Sequence, residues 1–349
     1  MSALSFLVVG TPRSGTTLTQ RLCCELPGVA MPPETHFLHR FAPRLLARRR
    51  FPLSRNEVAA EVADFGHLPT SEGLRVDLAR VLDLVGRRCE NLLDLFSAVV
   101  VSLCPPAARY GEKTPEHLLW WRPLTDADPD LRLVGVVRDP RAVAASHRAV
   151  PWGIEDSAVL AEEWALDQRQ LRAAARHLGP GRCLILRYED VVADPDTARR
   201  QLGGLLAVRP GGPKAAAPDG IVHGWEWWKA GALRDVTTDR TAAWRETLPP
   251  GDASVVEEVA GAEMAAFGYL DHPPERGRQA GPEIRERLAA RLHRIRRLTP
   301  LAFPAPSPAA ALSGAGSSPV GGGSSGGGGA GGGGGSSGGG GGSSAVRGD

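Results

Sequence analysis

The chain has 349 residues, 42% of them hydrophobic and 5% aromatic, with a formal net charge of +2. That length admits one large or two modest domains with a sizeable core. So small a charge excludes a global field that would draw nucleic acid or an anionic membrane, leaving only local basic sites. Five cysteines (Cys23, Cys24, Cys89, Cys104 and Cys183) show neither disulfide nor zinc spacing and read as buried reduced thiols. No run approaches about 18 apolar residues and no basic leader precedes the apolar start. The expectation is a soluble, cytoplasmic protein with no integral membrane segment.

Phe6 to Val9 is a short apolar run that predicts a buried strand. It breaks at Gly10, crosses a loop with Pro12, Arg13 and Gly15, and resumes as an amphipathic helix through Leu18 and Leu22. Strand, glycine loop and helix together form a context in which backbone N–H groups cradle a phosphate. The spacing Gly10-x4-Gly15-Thr16-Thr17 nearly matches the P-loop pattern, but Thr16 stands where its lysine belongs and Arg13 lies inside the loop.

Gly28 to Phe37 predicts a short extended piece that places Glu34 near the strand ends. Phe37 to about Cys104 is helical in flavour, and Arg48-Arg49-Arg50 reads as a solvated helix end. Arg109 to His117 reads as a strand end turning into a helix begun near Pro115. Leu131 to Val137 is the clearest second buried strand, followed by Asp139 as cap of a helix opening with Pro140. A long helix around Ala161 to His177, a strand from Cys183 to Arg187 and a helix from Pro195 to Leu206 come next. This alternation predicts an α/β fold: a P-loop-like three-layer sandwich, its central parallel sheet flanked by helices, with a helical insertion. Ligands in such sheets sit at the carboxyl ends of the strands.

Gly211 to Gly220 reads as a flexible connector, after which Trp225, Trp227 and Trp228 cluster. A helix near Asp252 to Phe267 closes the compact part at about Tyr269, and Ile284 to Leu298 predicts a basic amphipathic helix at the surface. From Ser313 the chain is almost all Gly and Ser and should be disordered.

A glycine loop alone is consistent with ATP or GTP. The missing lysine, and the lack of an apolar strand ending in an Asp to hold Mg²⁺, count against phosphoryl transfer. A loop using Arg13 and backbone amides without a metal suits a phosphosulfate.

Thr11-Pro-Arg-Ser-Gly-Thr-Thr17 resembles the 5′-phosphosulfate loop of sulfotransferases that use 3′-phosphoadenylyl sulfate (PAPS). Arg138-Asp-Pro-Arg-Ala-Val-Ala-Ala-Ser146 resembles their 3′-phosphate motif, an Arg ending a strand and a Ser eight residues on. The match is closest to the bacterial and tyrosylprotein-type branch, since the cytosolic steroid and phenol enzymes carry Lys where this chain has Arg13. It covers roughly Ser5 to Tyr269, and suggests a sulfotransferase domain over 1–272, a basic helix over 273–300 and a disordered tail over 301–349.

The resemblance implies that Pro12, Arg13, Ser14, Gly15, Thr16 and Thr17 bind PAPS as co-substrate, with Arg13 neutralising the leaving oxygen and no metal required. Arg138 and Ser146 would clamp the 3′-phosphate, Tyr188 would lie near it or the adenine, and Thr238, with Thr237 and Arg240, would belong to a late contacting loop. Arg148 is a further candidate for the 3′-phosphate. Glu34 would be the general base that takes the acceptor's hydroxyl proton, with His36 as fallback, and Lys113 would sit near the transferring group. The acceptor is expected to be a small-molecule hydroxyl, with the tryptophans lining its pocket; nothing in the sequence reads on oligomeric state. Two other readings stay open: a P-loop kinase or NTPase, and a non-catalytic nucleotide-binding module.

Overall fold

Every residue of Leu4–Gly10 (β1) except Ser5 is buried, the continuous burial that a strand covered on both faces requires. The computed structural model describes residues 3–208, 220–233, 236–274 and 281–304. Residues 211–219 of the expected connector Gly211 to Gly220 and the Gly/Ser tail from Ser313 lie outside them.

After β1 come Thr16–Cys24 (α1) and Val29–Ala30 (β2). The helical stretch contains Ala42–Arg48 (α2), Leu53–Ser54 (β3), Arg55–Gly66 (α3), Leu78–Val85 (α4), Arg88–Cys89 (β4) and Leu92–Ser102 (α5). Then follow Arg109–Lys113 (β5), Trp121–Ala127 (α6), Arg132–Val137 (β6), Pro140–His147 (α7), Ser157–Leu178 (α8) and Cys183–Arg187 (β7). Tyr188–Ala193 (α9), Pro195–Leu206 (α10), Asp239–Ala242 (α11), Trp244–Thr247 (α12), Pro250–Ala266 (α13) and Pro282–Ala302 (α14) complete the order.

Five strands form one parallel sheet in the order β2-β5-β1-β6-β7, flanked by helices. β1 lies at its centre. Val8 pairs with Lys113 of β5, and Gly10 pairs with Val136 of β6. The register therefore gathers the glycine loop, Lys113 and Arg138 at one carboxyl edge, where the chain leaves β1 between strands of opposite crossover. Gly10 is required there, because a Cβ would stand 2.3 Å from the Val136 carbonyl oxygen at a φ of 155°.

Several elements differ from expectation. β3 and β4 pair antiparallel over two residues each, too few for periodicity to reveal. Pro115–Trp120 is a 3₁₀ turn leading into α6 rather than an α-helix of its own. Arg48 and Arg49 are not simply solvated: they reach the buried Glu61 at 2.7 and 2.9 Å and pin α2 to α3. α14 is the surface helix expected; it buries Leu288 and Ala302, packs on α8 and α2, and pairs Arg291 with Glu163 at 3.3 Å. All five cysteines are buried without a disulfide. Among the described residues no helix is long and apolar enough to cross a membrane.

Candidate active site

The loop after β1 is bent by two left-handed residues, Arg13 at a φ of 72° and Gly15 at 95°. Gly15 caps α1 against the Tyr188 ring, where a Cβ would come within 2.4 Å. Thr11 anchors the loop from below, donating its hydroxyl to Asp167 at 3.0 Å and accepting from Gln168 at 3.1 Å. Burial raises the Asp167 carboxyl to about 7. Pro12 accepts at its carbonyl from His147 at 3.3 Å, and Ser14 donates its N–H to Thr11 at 3.2 Å. Thr16 and Thr17 open α1 and are buried.

Arg13 Nε donates to Ser146 Oγ at 3.0 Å, joining the loop to α7. Arg138, just past β6, donates to the Arg13 carbonyl at 3.2 Å and lies over the Tyr188 ring at 4.4 Å. Its own carbonyl accepts from Trp164 Nε1 at 3.0 Å. Burial, with Arg138 and Arg240 close by, pushes the Arg13 guanidinium down to about 10. Such crowding of cations marks a place prepared for an anion.

Opposite the loop, Glu34 is buried and accepts from two lysines. Lys113 Nζ reaches it from the end of β5 and also donates to Thr17 Oγ1 at 3.2 Å. Lys229 Nζ reaches the same Glu34 oxygen at 2.5 Å and also donates to Glu226. Burial alone would raise the Glu34 carboxyl, but Lys113 and Lys229 outweigh it and hold it well below the usual carboxylate range. Burial brings Lys113 down to about 8, against the opposing pull of Glu34. His223 Nε2 meets the Glu34 carbonyl at 2.9 Å, and His36 Nε2 stands 3.5 Å from its carboxylate.

A second carboxylate positions this segment. Glu112, fully buried on β5, accepts from the Thr35 hydroxyl at 2.8 Å, the Thr114 hydroxyl at 2.6 Å and His117 Nδ1 at 2.8 Å. Because the Leu38 N–H donates to His117 Nε2 at 3.1 Å, the proton belongs on Nδ1. Successive residues of β5 face opposite ways, so Glu112 fixes the loop while Lys113 enters the site.

These groups open into one cavity of about 790 Å³. It brings together Pro12, Arg13, Gly15, Thr16, Thr17, Glu34, Arg138, Ser146 and Tyr188, while Ser14 lies buried beneath the loop and Lys113 behind Glu34. Thr237 and Arg240 line it too, whereas Thr238 is exposed outside the lining. Arg148 turns away to Asp252 at 2.6 Å. The far wall is aromatic: Trp228 packs edge-on against Trp152, Trp225 and Trp227 at 5.6–5.9 Å.

Lys229, Glu226 and Glu112 escaped the sequence reading. Lys229 meets a residue 195 positions away, which no local pattern reveals. The available signal was a lone lysine closing a tryptophan cluster. For Glu112, it was a charge inside a strand.

Residues 5–208 match the model of the sulfotransferase family. The chain belongs to that family. The mouse carbohydrate sulfotransferase 5 is 30% identical over 174 residues, 42% of this chain and 43% of that protein. The Drosophila melanogaster protein-tyrosine sulfotransferase is 25% identical over 205 residues, 57% of this chain and 37% of that protein. This sulfotransferase-family chain thus spans about two fifths of the length of those curated relatives. The sulfotransferase domain of the Synechococcus PCC 7002 olefin synthase aligns at a TM-score of 0.46 and 19% identity, over 76% of this chain and 94% of that one.

Proposed function

We propose that this chain transfers a sulfuryl group from PAPS to a hydroxyl of a small-molecule acceptor, leaving adenosine 3′,5′-bisphosphate. The observation that carries the reading is one cavity lined by Arg13, Arg138 and Glu34, with Lys113 behind Glu34 and bonded to it. Its residues suit such a donor. Arg138 lines the cavity, and its Nε is buried with no hydrogen-bond partner among the described residues; an unsatisfied buried donor of this kind awaits a ligand.

Arg13 and the N–H groups opening α1 would hold the phosphosulfate, and Arg138 with Ser146 the 3′-phosphate, with Tyr188 flanking both. PAPS supplies the activated sulfuryl group. Lys113 would stabilise charge on the departing oxygen. Glu34 would receive the hydroxyl proton as the new O–S bond forms. Pinned by two lysines, Glu34 is a weak base; it strengthens once Lys113 turns to the incoming anion. Lys229 holds its carboxylate and His223 its backbone carbonyl. The aromatic wall offers a face to a compact acceptor, supporting a small molecule.

The test is a labelled-PAPS screen against metabolite pools, read by mass spectrometry for an added sulfuryl group. Alongside it, adenosine 3′,5′-bisphosphate should bind about 10- to 100-fold tighter than adenosine 5′-phosphate, the worth of a charged hydrogen-bonded clamp. Arg138→Gln should erase that preference. Equal affinity for the two nucleotides, or phosphoryl transfer from ATP, would refute the reading.

A further inference from the structure

Beside Glu34, on the cavity wall, three side chains meet that the proposed transfer does not use. His36 precedes the π turn Phe37–Phe41, and His39 lies within it, so their rings stand 5.2 Å apart. Glu116, from the 3₁₀ turn after β5, faces them, with Oε1 4.0 Å from His39 Nε2. One ligand atom from each of the three lies within 4.8 Å of the other two. All three residues line the cavity.

Their polar atoms are also conspicuously unengaged. His36 Nδ1 and Nε2, His39 Nδ1 and Glu116 Oε2 are buried with no hydrogen-bond partner among the described residues. His36 Nε2 has only the Glu34 carboxylate at 3.5 Å, and so many unbonded buried atoms in one cluster are costly unless something binds them. A second grouping of Glu34, His36 and Glu226 has similar proximity, but Lys113 and Lys229 already neutralise its carboxylates.

We propose that His36, His39 and Glu116 hold a divalent transition-metal ion of the zinc class on the acceptor wall of the cavity. Two imidazoles and one carboxylate are a donor set for such ions, and three protein ligands leave a fourth position open. That position faces the cavity, where water or a hydroxyl completes the coordination. Ligand atoms bound at about 2.0–2.2 Å stand roughly 3.3 Å apart, so modest side-chain rotation closes the set. None of the three ligands bonds Arg13 or Arg138 among the described residues, and donor binding is not expected to depend on the ion.

The test uses the full chain stripped with EDTA and titrated with Co²⁺, followed by visible absorption, with Zn²⁺ as competitor in calorimetry. One equivalent should bind per chain with ligand-field bands that Zn²⁺ abolishes. His36→Ala, His39→Ala and Glu116→Gln should each weaken binding by more than about 100-fold, beyond the usual cost of losing an outer-shell partner. His67→Ala, at an exposed histidine elsewhere, should leave it unchanged. Adenosine 3′,5′-bisphosphate binding, measured in EDTA, certifies that each variant is folded and reads the donor site separately. Absence of the bands, or bands unchanged in all three variants, overturns the site.

Discussion

Glu34→Gln alters one heavy atom and removes one charge from the centre of the cavity. The Glu34 carboxylate accepts from both Lys113 and Lys229, and none of the three side chains is more than 9% exposed. Charge-assisted hydrogen bonds contribute about 1.5–3 kcal/mol each, and breaking a buried ion pair costs about 3–5 kcal/mol. Lys113, already down to about 8, would fall further and shed its proton, which holds the loss near the lower end. A loss of about 3 kcal/mol, at about 2–4 °C per kcal/mol for a domain of this size, lowers Tm by roughly 6–12 °C. Turnover should drop about 10²- to 10⁴-fold with the base gone, while calorimetric affinity for adenosine 3′,5′-bisphosphate stays close to the parent's. An unchanged melting curve would refute the buried ion-pair argument, and unchanged turnover would remove Glu34 as the base.

Gly15→Ala puts a methyl against Tyr188 at a φ of 95°, a strain of about 1–3 kcal/mol that calorimetry should register as lowered Tm and weakened bisphosphate binding; an isotherm equal to the parent's would count against the close approach. In the proposed role of Lys113 as a cation, kcat/KM for the donor should decline as pH rises through about 8 and the ammonium loses its proton. Lys113→Arg, charged throughout, should lack that descending limb whatever activity it retains, and a wild-type plateau to pH 10 would contradict the assignment. Lys229→Met removes one of the two cations that depress Glu34, so the acidic limb of the rate profile should move to higher pH. Turnover should also fall about 10- to 100-fold as the carboxylate loses a positioning bond; an unmoved acidic limb would argue that Lys229 does not act on Glu34.

The glycine-loop half of the site was legible because its signals are local. An apolar run ending in Gly10, a left-handed Gly15 and a proline opening α7 after a capping Asp139 are short-range requirements of backbone geometry. The strand Cys183–Arg187 and helix Pro195–Leu206 have the bounds that their patterning suggests. The opposite half was less legible because it is assembled from afar. Glu34 is held by residues 79 and 195 positions away, and His39 meets Glu116 across two separate turns. α14 is the basic amphipathic surface helix expected, mostly exposed or half-buried, with Leu288 and Ala302 buried and Ile295, Leu298 and Leu301 packed against the core.

Four hydrogen bonds tie the segment from His223 to Ala232 to the rest of the site among the described residues. His223 and Lys229 grip Glu34, the Trp228 carbonyl accepts from Arg13 at 3.4 Å, and the Ala232 carbonyl accepts from Arg21 at 3.0 Å. Two of those fasteners come from the glycine loop and the helix it opens. The wall that would receive the acceptor is therefore partly built by the side that would receive the donor. A donor drawing Arg13 toward itself would loosen one fastener and reshape that wall. The consequence is kinetic: the donor should bind first and set the shape of the acceptor pocket, and the desulfated nucleotide should leave last.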